Sequence, residues 1–204
     1  PSLVRYALIQ KDLKQYKNAL EMIEKAYECM GSDEEDKVCQ AYASILTDAA
    51  TAEKLNGDVE WEDKYLKAVH VCPGYAPGHY NLGVAATEAG RDDKALLCYE
   101  KAIELHPEYV EALSNMGVIL QSQGRLDDCM RVYEKAHRLA PSSDIVAKNY
   151  AMALNHFGTE KMGQGSMQDA IRLYERAVAV YPTCTEALYN VGVAYANVGE
   201  IDKA

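Results

Sequence analysis

Between residues 80 and 141 the chain repeats itself at one fixed offset. Laying "YNLGVAATEAGRDDKALLCYEKAIELHP" (80–107) over "SNMGVILQSQGRLDDCMRVYEKAHRLAP" (114–141) aligns Gly83 with Gly117, Gly90 with Gly124, Tyr99 with Tyr133, Ala102 with Ala136 and Pro107 with Pro141, each 34 residues apart. A unit this short cannot enclose a core alone, so successive copies must stack and bury their apolar faces on one another. Small and aromatic residues recur at helical spacing within each copy. Gly83, Gly117, Ala151 and Gly192 allow a first helix to approach its neighbour closely, and Ala95, Cys129 and Ala170 do the same on a second helix. Tyr99, Tyr133 and Tyr174 follow those positions by four residues, with Ala102, Ala136 and Ala177 three further on, all on one helical face. Gly90, Gly124, Gly165 and Gly199 mark the turn between the helices, while Pro73, Pro107, Pro141 and Pro182 end each second helix.

That combination is the tetratricopeptide pattern. It predicts an all-α fold, a right-handed superhelical solenoid of antiparallel helix pairs. The expected units are a partial repeat over 1–31 (the end of a first helix plus a second helix), an atypical long repeat over 32–75, standard repeats over 76–109 and 110–143, a long repeat over 144–184 with a seven-residue extension, and a partial, truncated repeat over 185–204. The start inside one unit and the stop at Ala204 are expected of a piece of a longer array. In the first long unit, Asp48 replaces an apolar residue or Trp61 a small one, depending on register, and the first helix is expected to run through Leu55. In the second, seven extra residues turn a helix by about 700°, close to two turns, so the buried face is nearly kept. A continuous helix ending near Met162 is therefore expected, against the alternative of a longer turn favoured by Gly158.

Composition narrows the functional classes. A formal net charge of -10 works against binding of nucleic-acid phosphates, which rests on Lys and Arg. No apolar run is long enough to span a membrane, and no signal-peptide pattern appears. Cys29, Cys39, Cys72, Cys98, Cys129 and Cys184 form no CxxC and no zinc-ligand spacing, so reduced, buried thiols are expected. His70, His79, His106, His137 and His156 are scattered and are assigned no chemistry. No catalytic residue, metal site or cofactor is expected in these residues.

One polar residue type follows the repeat. Asn81, Asn115, Asn149 and Asn190 each stand two residues before the small position of a first helix, at intervals of 34, 34 and 41. Such a row of carboxamides offers paired donors and acceptors to the backbone of an extended peptide. The competing reading is that each Asn bonds a neighbouring repeat and orders the stack. Beside the row, the positions one before are Tyr80, Ser114, Lys148 and Tyr189, and those three after are Val84, Val118, Met152 and Val193. A single basic residue among them does not make a clamp for a terminal carboxylate.

From about Lys37 onward the chain resembles the repeat region of SPINDLY-type nucleocytoplasmic glycosyltransferases, relatives of O-GlcNAc transferase. The likeness rests on the order long, standard, standard, long, with "ILTDAATAEKLNGD" and "ALNHFGTEKMGQG" in the long units and "YAPGHYNLGV", "SNMGVILQSQGRLDDC" and "ALYNVGVAY" elsewhere. The resemblance implies a non-catalytic scaffold that presents protein substrates in a concave groove to a separate catalytic region, which moves fucose from GDP-fucose onto Ser or Thr. It also implies a cytoplasmic and nuclear location, a capacity for homodimerisation, and a concave ladder at Asn81, Asn115, Asn149 and Asn190. The alternatives are the O-GlcNAc transferase branch and a stand-alone adaptor for protein complexes.

Overall fold

The structure is a computed structural model that describes residues 2–31, 34–58 and 61–199. Eleven helices account for the regular structure among these residues, with no strand. They divide into two compact units, Pro1–Tyr109 and Val110–Ala204. The first holds α1 (Ser2–Asp12), α2 (Tyr16–Glu28), α3 (Glu35–Asn56), α4 (Trp61–Val71), α5 (Ala76–Glu88) and α6 (Asp92–Leu105). The second holds α7 (Val110–Ser122), α8 (Leu126–Leu139), α9 (Asp144–Gly163), α10 (Met167–Val180) and α11 (Thr185–Asn197).

The helices form hairpins, and the repeat positions explain their packing. The side chains of Tyr99, Tyr133 and Tyr174 are at most 1% exposed, while Ala95, Cys129, Ala170, Ala102, Ala136 and Ala177 are fully buried. Burial of a ring this size stabilises by roughly 2 kcal/mol. Each ring fills the space left by a glycine on the preceding helix. A Cβ on Gly83 would lie 2.7 Å from the ring of Tyr99, and one on Gly117 2.6 Å from that of Tyr133. The hairpin turns use left-handed backbone, as at Gly90 (φ +67°) and Gly124 (φ +69°). In the α1–α2 turn Lys14 takes that role at φ +57° with the same hydrogen-bond pattern, its N–H bonding the Lys11 carbonyl and that of Gln15 the Gln10 carbonyl.

Both long first helices are continuous. α3 has 22 residues and ends at Asn56, one beyond the expected Leu55, with Gly57 capping it. α9 has 20 residues and ends at Gly163, which selects the long helix over the longer turn. Its start is fixed by Ser143, whose hydroxyl accepts from the Val146 N–H at 3.4 Å. Among the described residues no helix is long and apolar enough to cross a membrane. All six thiols are free, five of them buried, and burial pushes that of Cys129 up to about 12.

Candidate functional site

The four recurring asparagines sit on α5, α7, α9 and α11, each half-buried. Asn81, in the first unit, donates from Nδ2 to the Pro77 carbonyl one turn back at 3.0 Å. The other three belong to the second unit. There Asn149 Nδ2 reaches Ser114 Oγ on α7 at 3.5 Å, and Asn190 Nδ2 donates to Asn155 Oδ1 on α9 at 2.9 Å. Asn149 and Asn190 thus tie neighbouring first helices together, as the stack-ordering reading expects. A carboxamide has two N–H donors and two acceptor lone pairs, so one such bond leaves further capacity. Around them the first helices of this unit expose apolar side chains, among them Val118 (47%), Met152 (51%) and Tyr189 (73%).

The bonding partners show where the extra residues of α9 went. A Cβ on Gly158 would meet the Tyr174 ring at 2.6 Å, so Gly158, not Ala151, is the close-approach position opposite α10. Gly83, Gly117 and Gly158 each precede their tyrosine by 16 residues. By helix propensity Gly158 favours a turn; in the fold it is the contact that lets α10 dock. Ala151 is also fully buried. Beside it, Tyr150 stacks on Tyr133 of α8 with centroids 5.9 Å apart. The first half of α9 therefore packs on α7 and α8. Its second half, through Asn155, Gly158, Thr159 and Met162, packs on α10 and α11.

The signal for this was in the sequence at a period of seven, inside the repeat. "NYAM" (149–152) and "HFGT" (156–159) carry the same order of polar, aromatic, small and exposed residues. Tyr150 and Phe157 are 2% and 1% exposed, Ala151 and Gly158 are buried, and Met152 and Thr159 are exposed.

The same arrangement of an acid, a tyrosine and a cation holds each long helix in its own unit. In the first, Tyr42 Oη on α3 donates to Glu24 Oε1 on α2 at 2.7 Å, and Lys67 Nζ on α4 donates to the same oxygen at 2.8 Å. In the second, Tyr150 Oη on α9 donates to Glu134 on α8 at 3.3 Å and accepts from Arg176 on α10 at 2.6 Å, while Arg176 also pairs with Glu134. The Lys67 and Tyr42 hydrogen bonds hold the Glu24 carboxyl below its ordinary value, and the Glu24 bond raises Lys67. Burial pushes both Tyr42 and Tyr150 up to about 12. In the standard copies Leu82 and Met116 stand where these tyrosines do, so the clamp is a mark of the long repeats.

Among the described residues no group of three or more His, Cys, Asp or Glu side chains is placed to hold a metal ion. The chemistry the surface offers is hydrogen bonding and apolar contact.

Comparison with known proteins agrees with this geometry. A stretch of 101 residues, 48% of the chain and 10% of the relative, is 38% identical to a Hordeum vulgare protein named probable UDP-N-acetylglucosamine--peptide N-acetylglucosaminyltransferase SPINDLY. The Oryza sativa subsp. japonica protein of that name is 48% identical over 59 residues, 28% of the chain and 6% of the relative. The chain therefore matches a tenth or less of the length of these curated relatives, and the similarity lies in its repeats. Among solved structures, YrrB, described as a TPR protein with an unusual peptide-binding site, superposes at a TM-score of 0.60 with 19% identity, covering 92% of this chain and 89% of that one. A tetratricopeptide repeat protein from Parabacteroides merdae superposes at 0.59 with 17% identity over 98% of this chain and 73% of its own. These likenesses establish the fold as a tetratricopeptide solenoid. Models of the tetratricopeptide repeat match residues 1–28, 76–109 and 108–183, and with that period and that fold the chain belongs to the tetratricopeptide-repeat family.

Proposed function

We propose that the chain is the protein-recognition array of a SPINDLY-type glycosyltransferase, holding extended segments of substrate proteins while a separate catalytic region acts on them. The observation that carries this is the recurrence of Asn81, Asn115, Asn149 and Asn190 on successive first helices, each half-buried, with the exposed side chains of Val118, Met152 and Tyr189 beside the last three. A row of carboxamides reads backbone rather than sequence, with each bond contributing about 1 kcal/mol net. Weak binding of many different segments follows. The order of long and standard repeats favours the SPINDLY branch and, with it, fucose from GDP-fucose as the donor. The names of the barley and rice relatives carry the alternative donor, UDP-N-acetylglucosamine. Cytoplasmic and nuclear location and homodimerisation through the array belong to the same reading.

The ladder is tested by replacing Asn115 and Asn149 with Ala in the 204-residue chain and titrating it with a fluorescent pool of short, unstructured peptides of randomised sequence. Binding weaker by about 30-fold, two net hydrogen bonds, is expected. Unchanged binding refutes the ladder and leaves the stack-ordering role. The donor is decided by incubating the full-length polypeptide with each sugar nucleotide in turn. A sequence that continues past Ala204 without a catalytic region would make the chain a stand-alone adaptor.

A further inference from the structure

We infer that α9 carries two rungs of the peptide-binding ladder, Asn149 and His156. This rests on the ladder reading above and adds to it a residue of different chemistry. Asn81 and Asn115 stand two residues before Gly83 and Gly117, the glycines that receive a tyrosine ring from the second helix of their own hairpin. In α9 the glycine with that contact is Gly158, and the residue two before it is His156. Asn149 keeps the ladder position with respect to α7 and α8, and His156 holds it with respect to α10 and α11.

Helical geometry puts the two on one stripe. Seven residues apart, they differ by about 20° around α9 and about 10 Å along it. Met152 lies between them and is 51% exposed, and the His156 side chain is exposed too. The imidazole makes no hydrogen bond among the described residues; its ring rests edge-on against Phe157 with centroids 5.5 Å apart. The neutral ring offers one N–H donor and one nitrogen acceptor, the same pair that an Asn side chain presents to a peptide backbone. Asn149 and Asn190 already spend a donor inside the stack, whereas among the described residues neither nitrogen of the exposed His156 is spent on a hydrogen bond. The occupant that fits is the backbone of an extended polypeptide, whose amide groups carry the complementary acceptor and donor.

In the first unit the equivalent position, two before Ala50, is Asp48. There the carboxylate is paired with Lys11 at 3.2 Å and so is already engaged. The extra rung is therefore assigned to His156 alone.

The test is the same titration with the randomised peptide pool, using His156→Ala, His156→Asn and Asn115→Ala in the 204-residue chain. The expected result is about fivefold weaker binding for His156→Ala, one net hydrogen bond, with most of it restored by His156→Asn. Because His156 is exposed and unbonded, the thermal midpoint of His156→Ala is expected to match the parent's, which separates binding from folding. Weakened binding by Asn115→Ala with unchanged binding by His156→Ala overturns the second rung and leaves the ladder standing. Unchanged binding in both, or no binding by the parent chain, overturns the ladder and the second rung together.

Discussion

Gly158 reverses the sign that helix propensity alone would give. In an exposed helix, Gly to Ala gains about 1 kcal/mol. Here the new methyl would stand 2.6 Å from a fully buried tyrosine ring, and overpacking costs about 1–3 kcal/mol. Gly158→Ala is accordingly expected to lower stability by about 1 kcal/mol in denaturant titration, where the longer-turn alternative would predict a neutral or stabilising change. The tyrosines themselves differ. Tyr174 Oη donates to Thr159 at 3.2 Å, and Tyr99 shares a hydrogen bond with Thr87 at 3.0 Å. The Tyr133 hydroxyl is buried with no hydrogen-bond partner among the described residues, and burial pushes it well above its ordinary value. Tyr174→Phe should cost about 1 kcal/mol, while Tyr133→Phe should be neutral or stabilising by up to about 1 kcal/mol, both measured as shifts in unfolding midpoint. At this scale the sequence was legible for small, aromatic and turn positions, because each is bound to the period of 34. It misled at Gly158, because counting from the start of the helix and counting from its end give different equivalents once seven residues intervene.

The two long helices show why that insertion was tolerated. Two turns add length without moving the buried stripe off its neighbours, so α3 and α9 keep their hairpin contacts and gain a second set. Each is then tied to both flanking second helices by its tyrosine, an acid and a cation. The continuity of α9 was legible from the near-integral number of turns. The clamps were not, because Glu24 and Lys67 stand in no local motif and meet only when three helices pack. Their pH response has a definite sign. The Glu24 carboxyl titrates below its ordinary value in the folded chain, so its contribution is present above the unfolded value and is lost as pH falls through the folded one. Both partners are about half-exposed, which limits the effect to at most about 1 kcal/mol. Lys67→Ala should therefore be less stable than the parent at neutral pH, and the gap should close in unfolding curves recorded at about pH 3.

Over the whole chain, an acidic balance of -10 shapes which segments arrive most readily. Basic peptides are expected to bind more tightly than acidic ones at low salt, with the difference shrinking as ionic strength rises; affinities compared across a salt series check this. The fold class was legible in full, since period, turn glycines and closing prolines all agree. The proposed binding surface was legible only in part: spacing finds the asparagines, but their inter-repeat bonds and the second position proposed on α9 depend on which neighbour each half of a helix touches.

In a stack where every repeat contacts only its neighbours, stability is transmitted one interface at a time. α9 takes part in two such interfaces along one continuous helix, the first half against α7 and α8 and the second against α10 and α11. Damage on one side should therefore be felt on the other. In Gly158→Ala, amide exchange is expected to quicken not only in α10 but also in α8, where Tyr133 lies stacked on Tyr150, so that an insertion which lengthened one helix has also welded two repeats into one cooperative block.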